Sequence, residues 1–308
     1  MVDTPLSPES VPSAPADTDD AASDAAAEAV QTVQPDPPIA EENKAVLVQK
    51  TFTAAPSSIY LPLAHGFIKN CTAHTAEELN AAIGSPPAFT LTDTDAPQVL
   101  IMHTHTTESY LPFTGSYYDK TYASRSTDNS ENMSAVGEVI ASGLRSYGIG
   151  VLHDTTQHDY PSYNGSYERS YITVSNYLKE YPSIKVVLDV HRDAIIANDG
   201  TITAPVAEID GKTAAQVMLI AGCDNGKMNH PNYLKNLSFA AALQTQMESD
   251  HPGLTRPVLF DYRYYNQSLT TGSLLIEVGG HANTLAQALY SAELIGDSLD
   301  RLLSSMIS

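Results

Sequence analysis

VLIMHTHTTESY, residues Val99–Tyr110, decides the fold. Its first four residues, Val99 to Met102, are apolar without a break. Such a run reads as a strand buried on both faces, the kind that parallel sheets contain. It opens into His103, Thr104 and His105, and Glu108 follows three residues later. In an open α/β sheet the chemistry collects beyond the carboxyl ends of the strands. Two later stretches repeat the design. VVLDVHRD, Val186–Asp193, delivers His191, and SLLIEVGG, Ser273–Gly280, delivers Glu277.

Working outward, helix and strand patterns alternate from Gln98 onward. Apolar residues at helical spacing predict helices over 133–145, 167–181, 237–247 and 284–303, the last with Asn283 as its N-cap. Strands are predicted over 149–152, 184–190, 215–220 and 274–278, with an edge strand over 257–261. The long polar stretch 109–132 reads as a functional loop. This alternation predicts an α/β fold: an open, mostly parallel sheet with helices on both faces. Ahead of it, residues 44–97 read as a small N-terminal β-rich annex. Its one short helix starts at Thr75, with Glu78 completing a capping box. Residues 1–43 form an Ala/Pro-rich acidic linker. Its first 42 residues hold ten acidic residues and no Lys or Arg, a composition expected to stay disordered.

Charge and cysteine usage narrow the function classes. The formal net charge is −20, which excludes nucleic acid, whose phosphates need Lys and Arg. It equally disfavours an anionic membrane surface. Cys71 and Cys223 are too few for a disulfide framework or a Cys-rich zinc site, and they read either as one bridge or as two separate thiols. No apolar run is long enough to span a bilayer, and no signal peptide is visible at Met1.

The strand-end residues form a constellation. A catalytic zinc ion takes three N/O ligands and keeps one position open. His105, Glu108 and His191 supply such a set, one zinc per chain, and Glu277 is the unligated base. A carboxylate inside an apolar strand needs a cation, a metal or a raised pKa, which sets Glu277 apart. Asp189 is placed to orient a ligand histidine from behind. Two alternatives stand: His103 for His105, since alternate strand residues share a face, and Asp128 for Glu108. Arg192 is the candidate for binding a substrate carboxylate. The histidines at 65, 74, 153, 158, 230, 251 and 281 lie in polar sequence and read as surface residues, His281 being the best placed to contribute late.

VLIMHTHTTESYLP, VVLDVHRDAI and LLIEVGGHANT resemble the three signature blocks of the stage II sporulation protein P family, in order. The resemblance runs from about Ser58 to the end. It implies a zinc-dependent N-acetylmuramoyl-L-alanine amidase domain over 98–308, cleaving the amide between the muramoyl lactyl group and L-alanine of the stem peptide. It leaves room for a second activity on peptide cross-links during sporulation. It also implies a place outside the cytoplasm on a membrane anchor absent from this sequence, and partnership with stage II sporulation protein D, a glycan-strand lyase. Carried over, His105, Glu108 and His191 match the metal positions and Glu277 the catalytic carboxylate. The wider zinc amidases place their ligand Glu at the head of the next helix, where this chain has Asp128 and Glu131. An H-x-x-E…H zinc carboxypeptidase and a wall-binding module without catalysis are the competing readings.

Overall fold

A computed structural model describes residues 38–308. The acidic linker expected over 1–43 therefore lies outside the described residues up to position 37. In chain order the described elements are β1 (Lys44–Lys50), β2 (Tyr60–Pro62), β3 (Phe67–Asn70), α1 (Ala76–Ile83), β4 (Val99–Met102), β5 (Tyr117–Asp119), α2 (Met133–Ser146), β6 (Val151–His153), α3 (Ser166–Glu180), β7 (Val186–Asp193), β8 (Ile202–Ile209), β9 (Lys212–Ala215), β10 (Val217–Gly222), α4 (Tyr233–Asp250), β11 (Val258–Asp261), β12 (Gly272–Gly280) and α5 (Leu285–Ser304).

β4 is buried along its whole length, as its unbroken apolar run requires. It lies at the heart of an eight-stranded sheet of order β2-β3-β11-β10-β12-β7-β4-β6. The strands β6, β4, β7 and β12 run parallel, so the three motif-bearing strands are neighbours with their carboxyl ends on one rim. β10 turns antiparallel to β12, and β11 and β3 follow β10. The fold is the expected mostly parallel α/β sheet.

Helices cover both faces unequally. Val99 and Ile101 face the main core shared with α1, α2, α4 and α5. Leu100 and Met102 face the other side, where Val174, Tyr177 and Leu178 of α3 cover them. α3 covers the β6-β4-β7 end, and its first turn meets the next stretch where Tyr167 stacks on Tyr265. Over β12, β10 and β11 the same face carries the small cluster of Met218, Ile220, Leu275, Leu259 and Tyr265.

The segment 44–97 is β-rich, and its strands are shared out between the sheets. β1 joins a four-stranded sheet of order β5-β1-β8-β9, while the β2–β3 hairpin extends the large sheet beyond β11. That addition places β11 inside the sheet, not at the expected edge. The Thr75–Glu78 capping box is present. At the last helix the cap is Thr284, paired with Gln287, and not Asn283. Asn283 is drawn elsewhere: its Oδ1 accepts from Gly280 N–H and its amide donates to Pro205 O. Gly279 beside it has φ +66°, and a Cβ there would stand 2.7 Å from both Ala215 and Asn283 Oδ1. Cys71 and Cys223 are free thiols, docked on either side of β11 through backbone bonds to Phe260 and Asp261.

Candidate active site

β4 ends at Met102, and the two histidines after it part company. His103 is completely buried on the α2 side. Its Nδ1–H donates to Val190 O (2.8 Å), and its Nε2 meets His153 Nε2 at 2.9 Å. Burial, with His153 alongside, pushes its pKa down to about 3. His105 turns toward α3. Its ring stacks on Tyr163 (centroids 4.5 Å apart) and stands perpendicular to His191 at 5.3 Å. The two histidines do not share a face, because the strand alternation stops at Met102. Beyond it the chain turns, with Thr104 N–H donating to Asp189 Oδ1 (2.8 Å).

Glu108 follows in a tight turn closed by its own N–H on His105 O (3.1 Å). Its carboxylate is buried among His191 Nδ1 (3.6 Å), Arg125 (3.6 Å) and Arg192 (3.8 Å), and it accepts from the Arg192 backbone N–H (3.3 Å). Burial alone would raise its pKa; His191 and Arg192 outweigh that and hold it at about 2. The alternative, Asp128, is exposed and caps its own turn by accepting from Ser130 N–H and Oγ–H. Glu131 is exposed as well. Neither reaches the cluster.

His191 comes from β7, whose length to Arg192 is buried. Its Nε2 stands 2.7 Å from Asp189 Oδ1, a contact of charge in which the ring N–H does not align on the oxygen. Burial disfavours an imidazolium here, yet Asp189 and Glu108 raise the His191 pKa well above the ordinary value. For His105, burial and the His191 charge push the other way, and its pKa is lowered. Asp189 thus takes the supporting position expected of it, tied also to the Thr104 hydroxyl (2.7 Å).

Glu277 lies in register with His191 on one side and Met218 of β10 on the other. The side chain borders an open trough, but its Oε2 is shut off from solvent and has no hydrogen-bond partner among the described residues. Burial raises its pKa to about 8. A carboxyl in that state keeps its proton at neutral pH, and a cation bound alongside would lower its pKa and free it to accept one.

Arg192 departs from expectation. It is buried, its Nε–H donates to Ser109 O (3.2 Å), and its NH2 group donates to Ser124 O (2.8 Å). It braces the long loop against β7 and has little left to offer a substrate carboxylate. Sequence reading also missed Asp159. It is buried and accepts from Thr107 Oγ1 (2.7 Å) and Arg125 (2.6 Å), fastening that same loop from the other side. Nor are the remaining histidines all at the surface. His158, His230, His251 and His281 are buried, and His158 bonds His103 O through Nδ1 (2.8 Å).

The donor set of His105, Glu108 and His191 suits zinc in its chemistry. Bonds of about 2.0–2.1 Å around a tetrahedral zinc set two ligand atoms roughly 3.4 Å apart. Glu108 Oε2 and His191 Nδ1, at 3.6 Å, are nearly at that spacing, and His191 has a carboxylate behind it. Among the described residues no three His, Cys, Asp or Glu stand close enough together to hold a metal ion.

A family model described as stage II sporulation protein P matches residues 11–300. Stage II sporulation protein P of Bacillus subtilis (strain 168) is 32% identical over 214 residues, which are 66% of this chain and 50% of that protein. The chain thus spans about half the length of the curated relative it matches. Among solved structures, an N-acetylmuramoyl-L-alanine amidase of Nostoc punctiforme aligns with a TM-score of 0.40 and 9% identity, over 68% of this chain and 96% of that one. The corresponding amidase of Clostridium difficile 630 gives 0.37 and 16%, over 69% and 97%. The match of the family model over nearly the whole chain, together with the Bacillus relative, shows that this chain belongs to the stage II sporulation protein P family.

Proposed function

We propose that this protein is a zinc-dependent N-acetylmuramoyl-L-alanine amidase that cleaves the bond between the muramoyl lactyl group and the stem peptide of peptidoglycan. The observation that carries the reading is Glu277: an unpartnered carboxyl oxygen, its pKa raised toward neutral, one strand away from His191. His105, Glu108 and His191 would hold the zinc ion, which supplies Lewis-acid polarisation of the amide carbonyl when bound. The chain's own residues supply the rest. Glu277 Oε2 takes the proton of the attacking water and hands it to the departing amide nitrogen. Asp189 supports the His191 ring, and the two arginines hold the Glu108 carboxylate. Peptidoglycan places the activity outside the cytoplasm, with cross-link cleavage and a stage II sporulation protein D-type lyase as its natural extensions. Among the described residues no helix is long and apolar enough to cross a membrane.

Product analysis tests the proposal. Digested peptidoglycan should release stem peptides with a new L-alanine amino terminus. Release of single terminal amino acids would instead make the protein a carboxypeptidase, and retention on the polymer without products would make it a binding module.

A further inference from the structure

The sheet face beside Glu277 carries a trough of about 410 Å³. Its existence follows from topology: α3 covers the β6-β4-β7 end and meets the neighbouring cluster where Tyr167 stacks on Tyr265, while Phe52, Thr53 and Tyr60 help wall the space over β12, β10, β11 and β3. The floor is apolar. Leu275, Ile220, Leu259 and Lys69 stand in one lateral register row across β12, β10, β11 and β3. The rim is basic. Arg256, Arg263 and Lys69 all line it, in a chain with 16 Lys and Arg and a net charge of −20. Arg256 is engaged by Asp193 (2.7 Å) and lies over the Phe52 ring, and Arg263 contacts Asp261 (3.2 Å). Lys69 is half-buried and lines the same wall from β3. With Arg256 and Arg263 tied to acids, Lys69 is the basic side chain of this wall best placed to meet a carboxylate arriving over the apolar floor.

We propose that this trough is the peptide-binding subsite and that Lys69, flanked by Arg263, binds a free carboxylate of a short acidic peptide extending from the scissile amide at Glu277. This rests on the amidase reading for what lies at Glu277. Three strand spacings of about 4.8 Å separate β12 from β3. An extended peptide covers roughly 3.3–3.6 Å per residue, so the carboxylate sits about four residues along. The apolar floor takes the aliphatic parts of the peptide, and the charge selects acid over amide.

The test uses two synthetic muramoyl peptides, one with free carboxylates and one with those carboxylates amidated. The full chain should cleave the acid form at least tenfold more efficiently in kcat/KM. Lys69→Met, with its thermal midpoint checked against the parent, should bring that ratio close to one, chiefly through KM. Equal cleavage of both peptides by the parent, or an undiminished ratio in Lys69→Met, would overturn the subsite. Calorimetric titration of the same peptides separates this from the amidase reading. Acid-selective binding that Lys69→Met abolishes, with neither peptide cleaved, upholds the subsite and defeats the amidase. No binding and no cleavage of either peptide defeats both.

Discussion

At the scale of single residues, the site turns on environment and not on residue type. His103 and His105 are two positions apart, yet one is packed under α2 with a pKa near 3 and the other faces His191. The sequence could present both as strand-end histidines, but it could not show where the strand stops. The choice between Glu108 and Asp128 was equally closed to it, because it depends on Arg125 and Arg192 arriving from distant segments. Glu277 stands out in the sequence alone, since an acid in an apolar strand has few explanations. The ligand set is checked by elemental analysis: His105→Ala, Glu108→Ala and His191→Ala should each lose most of the bound zinc, while His103→Ala and Asp128→Ala should keep it. Glu277→Gln should keep zinc as well, while turnover falls by about 10²–10⁴ as a positioned proton acceptor is lost. The same variant has a pH signature in chelated protein. In the unfolded chain a Glu deprotonates near its ordinary 4.5; folded, Glu277 holds its proton to about 8. Between these values the folded state binds more protons, so its stability falls as pH rises. Glu277→Gln carries no such proton, and its thermal midpoint should drop less than the parent's from pH 4.5 to 8.

At the scale of elements, local signals were readable and distant pairings were not. β4, β7 and β12 announced themselves as apolar runs, and α1 by its capping box. The β8–β9 hairpin also had a signal, Asp210-Gly211 between strand-like stretches; both residues have positive φ, and Ile209 pairs with Lys212 across the two-residue turn. By contrast, nothing near Val258–Asp261 says that the β2–β3 hairpin, almost two hundred residues earlier, will cover its outer side. The α2–β4 contact tests how tightly these elements are set. Gly137 lies on α2 where a Cβ would come within 2.6 Å of the His103 ring and 2.7 Å of His153. Both rings are held by bonds to Val190 O and Glu138, so neither can retreat freely. Gly137→Ala should therefore lower stability by about 1–3 kcal/mol, as overpacked cores do, despite its better helix propensity. Chemical denaturation measures it; a stabilised variant would mean that α2 rides loosely on β4.

At the scale of the whole molecule, charge is the governing quantity. A chain at −20 repels an anionic substrate, and Lys69, Arg256 and Arg263 of the trough work against that field. Residues 1–37 hold eight acidic residues and no Lys or Arg, so removing them takes the formal charge from −20 to −12. The candidate site is assembled wholly from later positions, so at ordinary salt the truncated chain should match the parent on soluble muropeptides. A loss beyond about tenfold, roughly 1.4 kcal/mol of barrier, would mean that the linker reaches the site. Low salt separates the two chains. The Debye length is about 8 Å at 0.15 M and about 30 Å at 0.01 M, so added salt screens whatever charge the linker contributes. In dilute buffer the truncated chain should bind the acidic peptide more tightly than the parent, and the difference should vanish as salt is added. Calorimetry at the two ionic strengths decides it, because a linker that acted by contact would keep its effect at both.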